Sequence, residues 1–163
     1  MKRNTTPPRD RNQDGAPEQA RPRDSLGRPL PYGQTGAPPL PDPLPTDPEI
    51  AVGLAQQLLD RGLPFQAHEV LEELWKSCPE TERLGWKGLA QLAVAITHDS
   101  RGNRRGTQLL LNKAAINLAA GLPALPAVIH QDVILDWLAS AQRDLEHSGA
   151  LYQPLQLTAR SLS

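Results

Sequence analysis

Two segments of the chain hold most of the side chains that could do chemistry. His68 and Glu72 stand four residues apart, and Trp75 three residues further, in the segment PFQAHEVLEELWK. Gln91 and His98 stand seven residues apart in the apolar segment GLAQLAVAITHDS. Residues three, four and seven positions apart share one face of a helix. His68, Glu72 and Trp75 are therefore predicted to form one row of side chains, and Gln91 and His98 a second row.

These two rows are predicted to converge across a helical hairpin joined near Pro79, with Trp75 covering the polar groups. The reason is energetic, since an unpaired polar group buried on an apolar helix costs about 1–3 kcal/mol. One interpretation is a structural hydrogen-bond network that fixes the register of the helices. A second is a small-ligand or anion pocket with Trp75 or Trp86 as its wall and arginines such as Arg101 as its anchor.

A third interpretation is a metal site with His68, Glu72 and His98 as ligands. The segment HEVLE departs from the zinc motif HEXXH, because Glu72 stands where a second histidine is required. It also differs from the Glu-x-x-His motif of di-iron bundles. Under this interpretation the protein is a metal-dependent hydrolytic enzyme, with Glu69 or a bound water nearby. No cofactor is predicted outright, a divalent metal ion is left open, and catalytic residues stay unassigned.

Composition excludes several classes of protein. At 163 residues the chain has room for one domain. Cys78 is the single cysteine, so no intramolecular disulfide can form, and a reducing, cytoplasmic location is expected. The chain has no signal-peptide pattern and no run of eighteen apolar residues, so neither a membrane span nor a membrane partner is predicted. A net charge of −1 does not indicate a nucleic-acid partner.

The fold is predicted to be all-α, a single antiparallel bundle of about five helices. Helix-start signals stand at Thr46-Asp47-Pro48-Glu49, where a capping residue, a proline and an acid occur in order. The helices are expected to occupy about residues 48–61, 64–77, 79–101, 104–120 and 132–148. Glycines or prolines separate consecutive helices.

The third of these helices is predicted to be the central one, because it is apolar on most sides. Leu89, Leu92 and Ile96 are its expected core residues. Gly85 and Gly88 lower helix propensity, so they are expected to mark the close approach of a neighbouring helix.

The ends of the chain differ from the bundle domain, residues 47–149. Residues 1–46 are predicted to form a proline-rich arm, largely extended or disordered, since residues 1–48 hold 12 of the 17 prolines. We expect disorder over residues 1 to about 24 and order by Asp47. Whether the arm docks on the bundle is left open. Residues 150–163 form a C-terminal tail that is expected to be loosely docked or frayed.

The residue pattern of the two segments is specific as well as periodic. It consists of Phe65, Ala67, His68, Glu69, Leu71, Glu72 and Trp75, followed by Gly88, Leu89, Gln91, Ala93, His98, Arg101, Gly102, Asn103 and Gly106. This pattern resembles the domain-of-unknown-function 309 family, an uncharacterised all-helical bacterial family, over about residues 50–120. The resemblance implies a compact helical fold and no established activity. The family's histidine and glutamates suggest a site without specifying its chemistry.

The leading functional hypothesis is a non-enzymatic binding or interaction module with a polar pocket between the second and third helices. The metal-dependent hydrolase is the alternative, so whether the protein is an enzyme is left open. The partner is an unknown small ligand or protein, and a homo-oligomer is not excluded. The candidate ligand-binding residues are His68, Glu72, Trp75, Gln91, His98 and Arg101.

Overall fold

A computed structural model describes residues 23–31 and 36–159 of the chain. It contains five α-helices, which are α1 (Pro48–Asp60), α2 (Pro64–Ser77), α3 (Arg83–Ser100), α4 (Arg104–Gly121) and α5 (Gln131–Ser148). Within those described ranges no β-strand forms, so the all-α prediction is confirmed. None of these helices has the length and apolar character needed to cross a membrane. The disorder expected at the N-terminus falls mainly on residues 1–22, which lie outside the described ranges.

The helix boundaries follow the residues that signalled them. The Asp47 side chain caps α1 by accepting a hydrogen bond from the Glu49 amide at 3.2 Å. Gly62, Gly102 and Gly149 adopt φ values of 73°, 74° and 75° at the ends of α1, α3 and α5. Glycine occupies this left-handed conformation without steric cost, which is why the helices stop at these positions.

Helix α3 lies at the centre of the bundle, where it packs against α2 on one side and α4 on the other. Leu89 and Leu92 are fully buried, as predicted, and Ile96 is partly buried against the core. The helix begins later than expected, because Glu80–Glu82 form a short 3-10 turn before it.

Glycines allow α3 and α4 to approach closely, as the sequence predicted for Gly85 and Gly88. A Cβ atom added at Gly85 would lie 2.6 Å from the carbonyl oxygen of Gly121. A Cβ atom added at Gly88 would lie 2.7 Å from Cγ of Leu118. A larger residue at Gly85 would have to push the two helices apart, and one at Gly88 would have to displace the Leu118 side chain.

The tail packs into the bundle as far as Leu157, which differs from the expectation of loose docking. Leu155 and Leu157 are buried. The Gln56 Oε1 atom accepts a hydrogen bond from the Leu157 amide at 2.7 Å, and Gln56 Nε2 donates to the Leu155 carbonyl at 3.2 Å. Gln56 therefore satisfies backbone groups that burial of the two leucines would otherwise leave unpaired.

We expect Gly121→Ala to lower the free energy of unfolding by about 1–3 kcal/mol, because overpacking forces the helices apart. The added Cβ would lie 2.7 Å from the Leu84 carbonyl carbon and nearer still to the Gly85 amide. Gly53→Ala in α1 is the matched control, since nothing lies within 4 Å of its Cβ position. It should stabilise the protein by about 0.5–1 kcal/mol. Urea denaturation measures both, and equal stability of the two variants would refute the tight crossing.

We expect Gln56→Ala to destabilise the protein by about 1–3 kcal/mol, since the Leu155 and Leu157 backbone groups would be left buried without partners. Gln57→Ala is the control, because Gln57 is exposed on the same helix. Hydrogen exchange of the Leu157 amide should accelerate in the first variant only. Unchanged protection in both variants would show that Gln56 does not hold the tail.

Candidate functional site

A groove of about 220 Å³ lies between α2 and α3. Its lining consists of His68, Glu72 and Trp75 from α2 with Lys87, Ala90, Gln91 and Val94 from α3. Four residues that the sequence predicted to meet, His68, Glu72, Trp75 and Gln91, thus lie on the walls of one groove. They do so because α2 and α3 pack side by side as consecutive helices.

The groove side of α2 carries a chain of polar contacts. His68 Nε2 lies 3.0 Å from Glu72 Oε2, and Lys76 Nζ lies 3.1 Å from Glu72 Oε1. Each contact joins residues four positions apart, so the helix itself sets the spacing. The Glu72 carboxylate therefore contacts the His68 ring through one oxygen and the Lys76 ammonium group through the other.

Burial lowers the pKa of His68 from its ordinary value of 6.5, while the Glu72 charge and the nearby Phe65 carbonyl oppose this effect. Its Nδ1 atom is buried and has no hydrogen-bond partner of standard geometry among the residues that the structure describes. Because a carboxylate only accepts, a neutral His68 must carry its proton on Nε2 to bond Glu72. The ring thus acts at neutral pH as a fixed donor to Glu72.

Trp75 forms the apolar wall of the groove at the end where two cations approach its ring. Lys87 Nζ lies 5.3 Å from the ring centroid, and the guanidinium carbon of Arg83 lies 5.8 Å from it. Both distances fit cation–π attraction. Lys87 makes no ion pair with any residue that the structure describes, so its charge is available at the groove.

Gln91 is oriented by a residue that sequence reasoning missed. Asn117 of α4 donates from Nδ2 to Gln91 Oε1 at 2.7 Å. The only available signal was that Asn117 is polar within an apolar stretch of α4, which does not reveal its partner. Lys87, Ala90 and Val94 were also missed as lining residues, because nothing about their types marks a groove.

His98 and Arg101 lie away from the groove. His98 Nδ1 is 3.1 Å from Asn103 Nδ2, and burial together with the Arg101 charge lowers its pKa. Arg101 donates a hydrogen bond to the carbonyl of Leu26 in the N-terminal arm. Seven residues span about 10 Å along a helix, so Gln91 and His98 share a face but not a level. The structure therefore does not bring His98 to the other three polar residues.

The metal hypothesis gains no support from this geometry. Within residues 23–31 and 36–159, no three His, Cys, Asp or Glu side chains are grouped closely enough to hold a metal ion. His68 and Glu72 are paired with each other, but His98 lies beside Asn103 instead of closing the set.

Comparison with known proteins identifies the segment that builds the groove. Residues 53–110 match the family model described as "Domain of unknown function (DUF309)". The family resemblance is confirmed for this segment. The chain is also 46% identical over 48 residues to "Uncharacterized protein YpuF" of Bacillus subtilis (strain 168). That match covers 29% of this chain and 28% of the relative, and no solved structure matches the chain significantly.

The segment that matches this model, residues 53–110, is here called the DUF309 segment. It contains every residue that lines the groove between α2 and α3. Asn117, the N-terminal arm and the C-terminal tail lie outside it. The groove is therefore built from the DUF309 part of the chain, whereas one of its supports and both chain ends come from elsewhere.

We expect the His68 imidazole to titrate below 6.5 in the folded protein, as its lowered pKa implies. The unfolded chain then binds more protons just below that value, so stability should fall as the pH drops through it. Glu72→Gln removes the opposing charge and should lower the pKa of His68 further. Proton NMR of the ring measures both variants. A titration midpoint above the ordinary value would mean that the Glu72 attraction outweighs burial.

Proposed function

We propose that this protein is a non-enzymatic binding module whose α2–α3 groove holds a small molecule. The observation that carries the proposal is the combination of apolar walls with polar groups that are already fixed by other residues. Trp75, Ala90 and Val94 supply the apolar surface, and Lys87 and Gln91 supply polar atoms. Small-molecule sites in proteins are mostly apolar concave surfaces with a few oriented polar groups.

Preorganisation supports a binding role. Glu72 holds His68 and is itself held by Lys76, while Asn117 occupies the Oε1 atom of Gln91. The Gln91 amide group is thereby fixed, and its nitrogen, which bonds no residue in the described part of the chain, can donate to a ligand. A ligand would not have to order these side chains, which reduces the entropic cost of binding.

The charges favour a ligand that joins an apolar body to an acidic group. Lys87 stands at the groove without an ion-pair partner among the described residues, whereas the Glu72 charge is already offset by Lys76. A carboxylate or phosphate near Lys87 and the Gln91 amide would gain charge-assisted hydrogen bonds. Its apolar part would lie against Val94 and Ala90.

Benzoate and hexanoate are suitable probes, since each combines a carboxylate with an apolar body. In two-dimensional NMR titrations of the full chain, we expect shifts of the Trp75 indole and Gln91 amide signals. Lys87→Met should weaken carboxylate binding by about tenfold to a hundredfold, the range for a hydrogen bond to a charged group.

Val94→Trp is designed to fill the groove and should abolish these shifts. Ile116→Trp is its matched control, because Ile116 is 72% exposed on α4 and does not line the groove. Probe binding that survives Val94→Trp, or no response from wild type at any concentration, would refute the proposal. Native mass spectrometry of the purified protein would report the mass of any ligand that copurifies.

A further inference from the structure

Residues 23–29 of the N-terminal arm form a self-supporting turn, here called the arm turn. The Asp24 Oδ1 atom accepts hydrogen bonds from the Leu26 amide at 3.0 Å and the Arg28 amide at 2.8 Å. Its Oδ2 atom lies 2.7 Å from Arg28 Nε. Gly27 supplies the left-handed residue with φ 77°. All these contacts are internal, so the turn can keep its shape without the bundle.

The arm turn docks on the start of α2 through a contact that only glycine permits. Gly27 is buried against the Phe65 ring, and a Cβ at Gly27 would lie 2.5 Å from Phe65 Cγ. The Arg23 guanidinium carbon lies 6.0 Å from the same ring centroid. Burial raises the pKa of Glu69, and the Arg23 charge opposes that effect, so an acidic group faces a basic one across this contact.

Backbone carbonyls of the arm supply the remaining recognition. Arg101 donates to the Leu26 carbonyl, and Gln66 Nε2 donates to the Pro38 carbonyl. The surface that receives the arm is thus formed by Phe65, Gln66 and Arg101, all within the DUF309 segment. The arm itself lies outside that segment.

The docked arm turn is not part of the hydrophobic core. Among the described residues, every buried hydrophobic residue of the core lies at Ala51 or later in the chain. The contact also leaves Arg23 Nε and Gln66 Oε1 buried without hydrogen-bond partners among the described residues. Unpaired buried polar atoms oppose docking, so the arm is held by a contact weaker than core packing.

We propose that the surface formed by Phe65, Gln66 and Arg101 is a reversible peptide-turn docking site, which this chain fills with its own arm turn. The site selects a turn in which an Asp carboxylate accepts the internal hydrogen bonds and a Gly follows three residues later, as Asp24 and Gly27 do here. A preformed turn loses little entropy on docking, so it can bind from a separate molecule as well as from the same chain. The occupant in trans is therefore the arm turn of a second copy.

Docking also bears on the groove, and this step alone rests on the proposed function. The Phe65 ring lies between the arm turn and His68, with its centroid 5.6 Å from that of the His68 imidazole. Release of the arm would expose Phe65 and admit water near the buried side of His68. Docking of the arm turn can thus affect the groove through Phe65 and His68.

The docking site is tested with the full chain and a fluorescent peptide of residues 23–31. The Gly27→Val chain cannot seat its own arm against Phe65, so its docking site is free. In wild type the tethered arm competes at a high effective concentration. We expect the Gly27→Val chain to bind the peptide at least about tenfold more tightly than wild type does, as measured by fluorescence anisotropy.

Three controls make the result specific. Gly62→Val introduces the same left-handed strain, with φ 73°, at a position with nothing within 4 Å, so its arm stays docked and the peptide binds no better than to wild type. A peptide carrying Gly27→Val should not bind, and adding Arg101→Ala to the Gly27→Val chain should weaken peptide binding. Equal binding by the Gly27→Val and wild-type chains, or none by either, overturns the proposal. Unfolding of the Gly27→Val chain overturns it too, because the core would then depend on the arm.

The link to the groove has its own readout. The NMR signals of the His68 ring should shift in the Gly27→Val chain and return when the peptide is added. An unchanged His68 signal in a chain that binds the peptide overturns the link and leaves the docking site intact. If wild type does not bind benzoate, by contrast, the proposed function is contradicted and the docking site is not affected.

Discussion

The close crossing of α3 and α4 is the constraint on which the rest of the structure depends. Gly85 and Gly121 leave no side chain between the two backbones, and Gly88 receives the side chain of Leu118. At this separation Asn117 reaches Gln91 across the crossing with a 2.7 Å hydrogen bond. A larger separation would leave Gln91 free to rotate. The glycines thus cost helix propensity but fix both the bundle and one wall of the groove.

Helix α3 consequently packs against neighbouring helices on two sides. One face packs on α4, and the opposite face supplies Lys87, Gln91 and Val94 to the groove beside α2. Polar groups on such a helix are stable only when each finds a partner. Gln91 finds Asn117, whereas the Lys87 ammonium lies over the Trp75 ring. The groove is therefore a place where polar side chains of α3 are held in position and can still bind a ligand.

The two chain ends attach by different physical means. Gln56 hydrogen-bonds the tail, whose Leu155 and Leu157 join the core. The arm turn instead lies at the surface, where Gly27 packs on the Phe65 ring and Arg101 donates a hydrogen bond to the Leu26 carbonyl. Burial of apolar area makes the first attachment part of folding. The second attachment resembles recognition of a ligand, since the turn is formed by its own hydrogen bonds.

Local rules explain why the helices and the central position of α3 could be predicted. Caps, glycine stops and apolar periodicity act within a few residues, and they placed the start of α1 and the buried Leu89 and Leu92. The same periodicity placed His68, Glu72 and Trp75 on one row, because a helix fixes spacings of three and four. Family resemblance added specificity to these residues but no chemistry.

Helical spacing fixes the direction of a side chain but not its height against the neighbouring helix. His98 shares a face with Gln91, yet it lies about two turns away and bonds Asn103 instead of the groove. Hydrogen-bond partners far apart in the chain could not be predicted either, such as Asn117 for Gln91 and Leu157 for Gln56. The sequence by itself determined which segments become helices and which faces they bury. Only the tertiary structure decided which polar groups meet, because that depends on how two packed helices are offset along their axes.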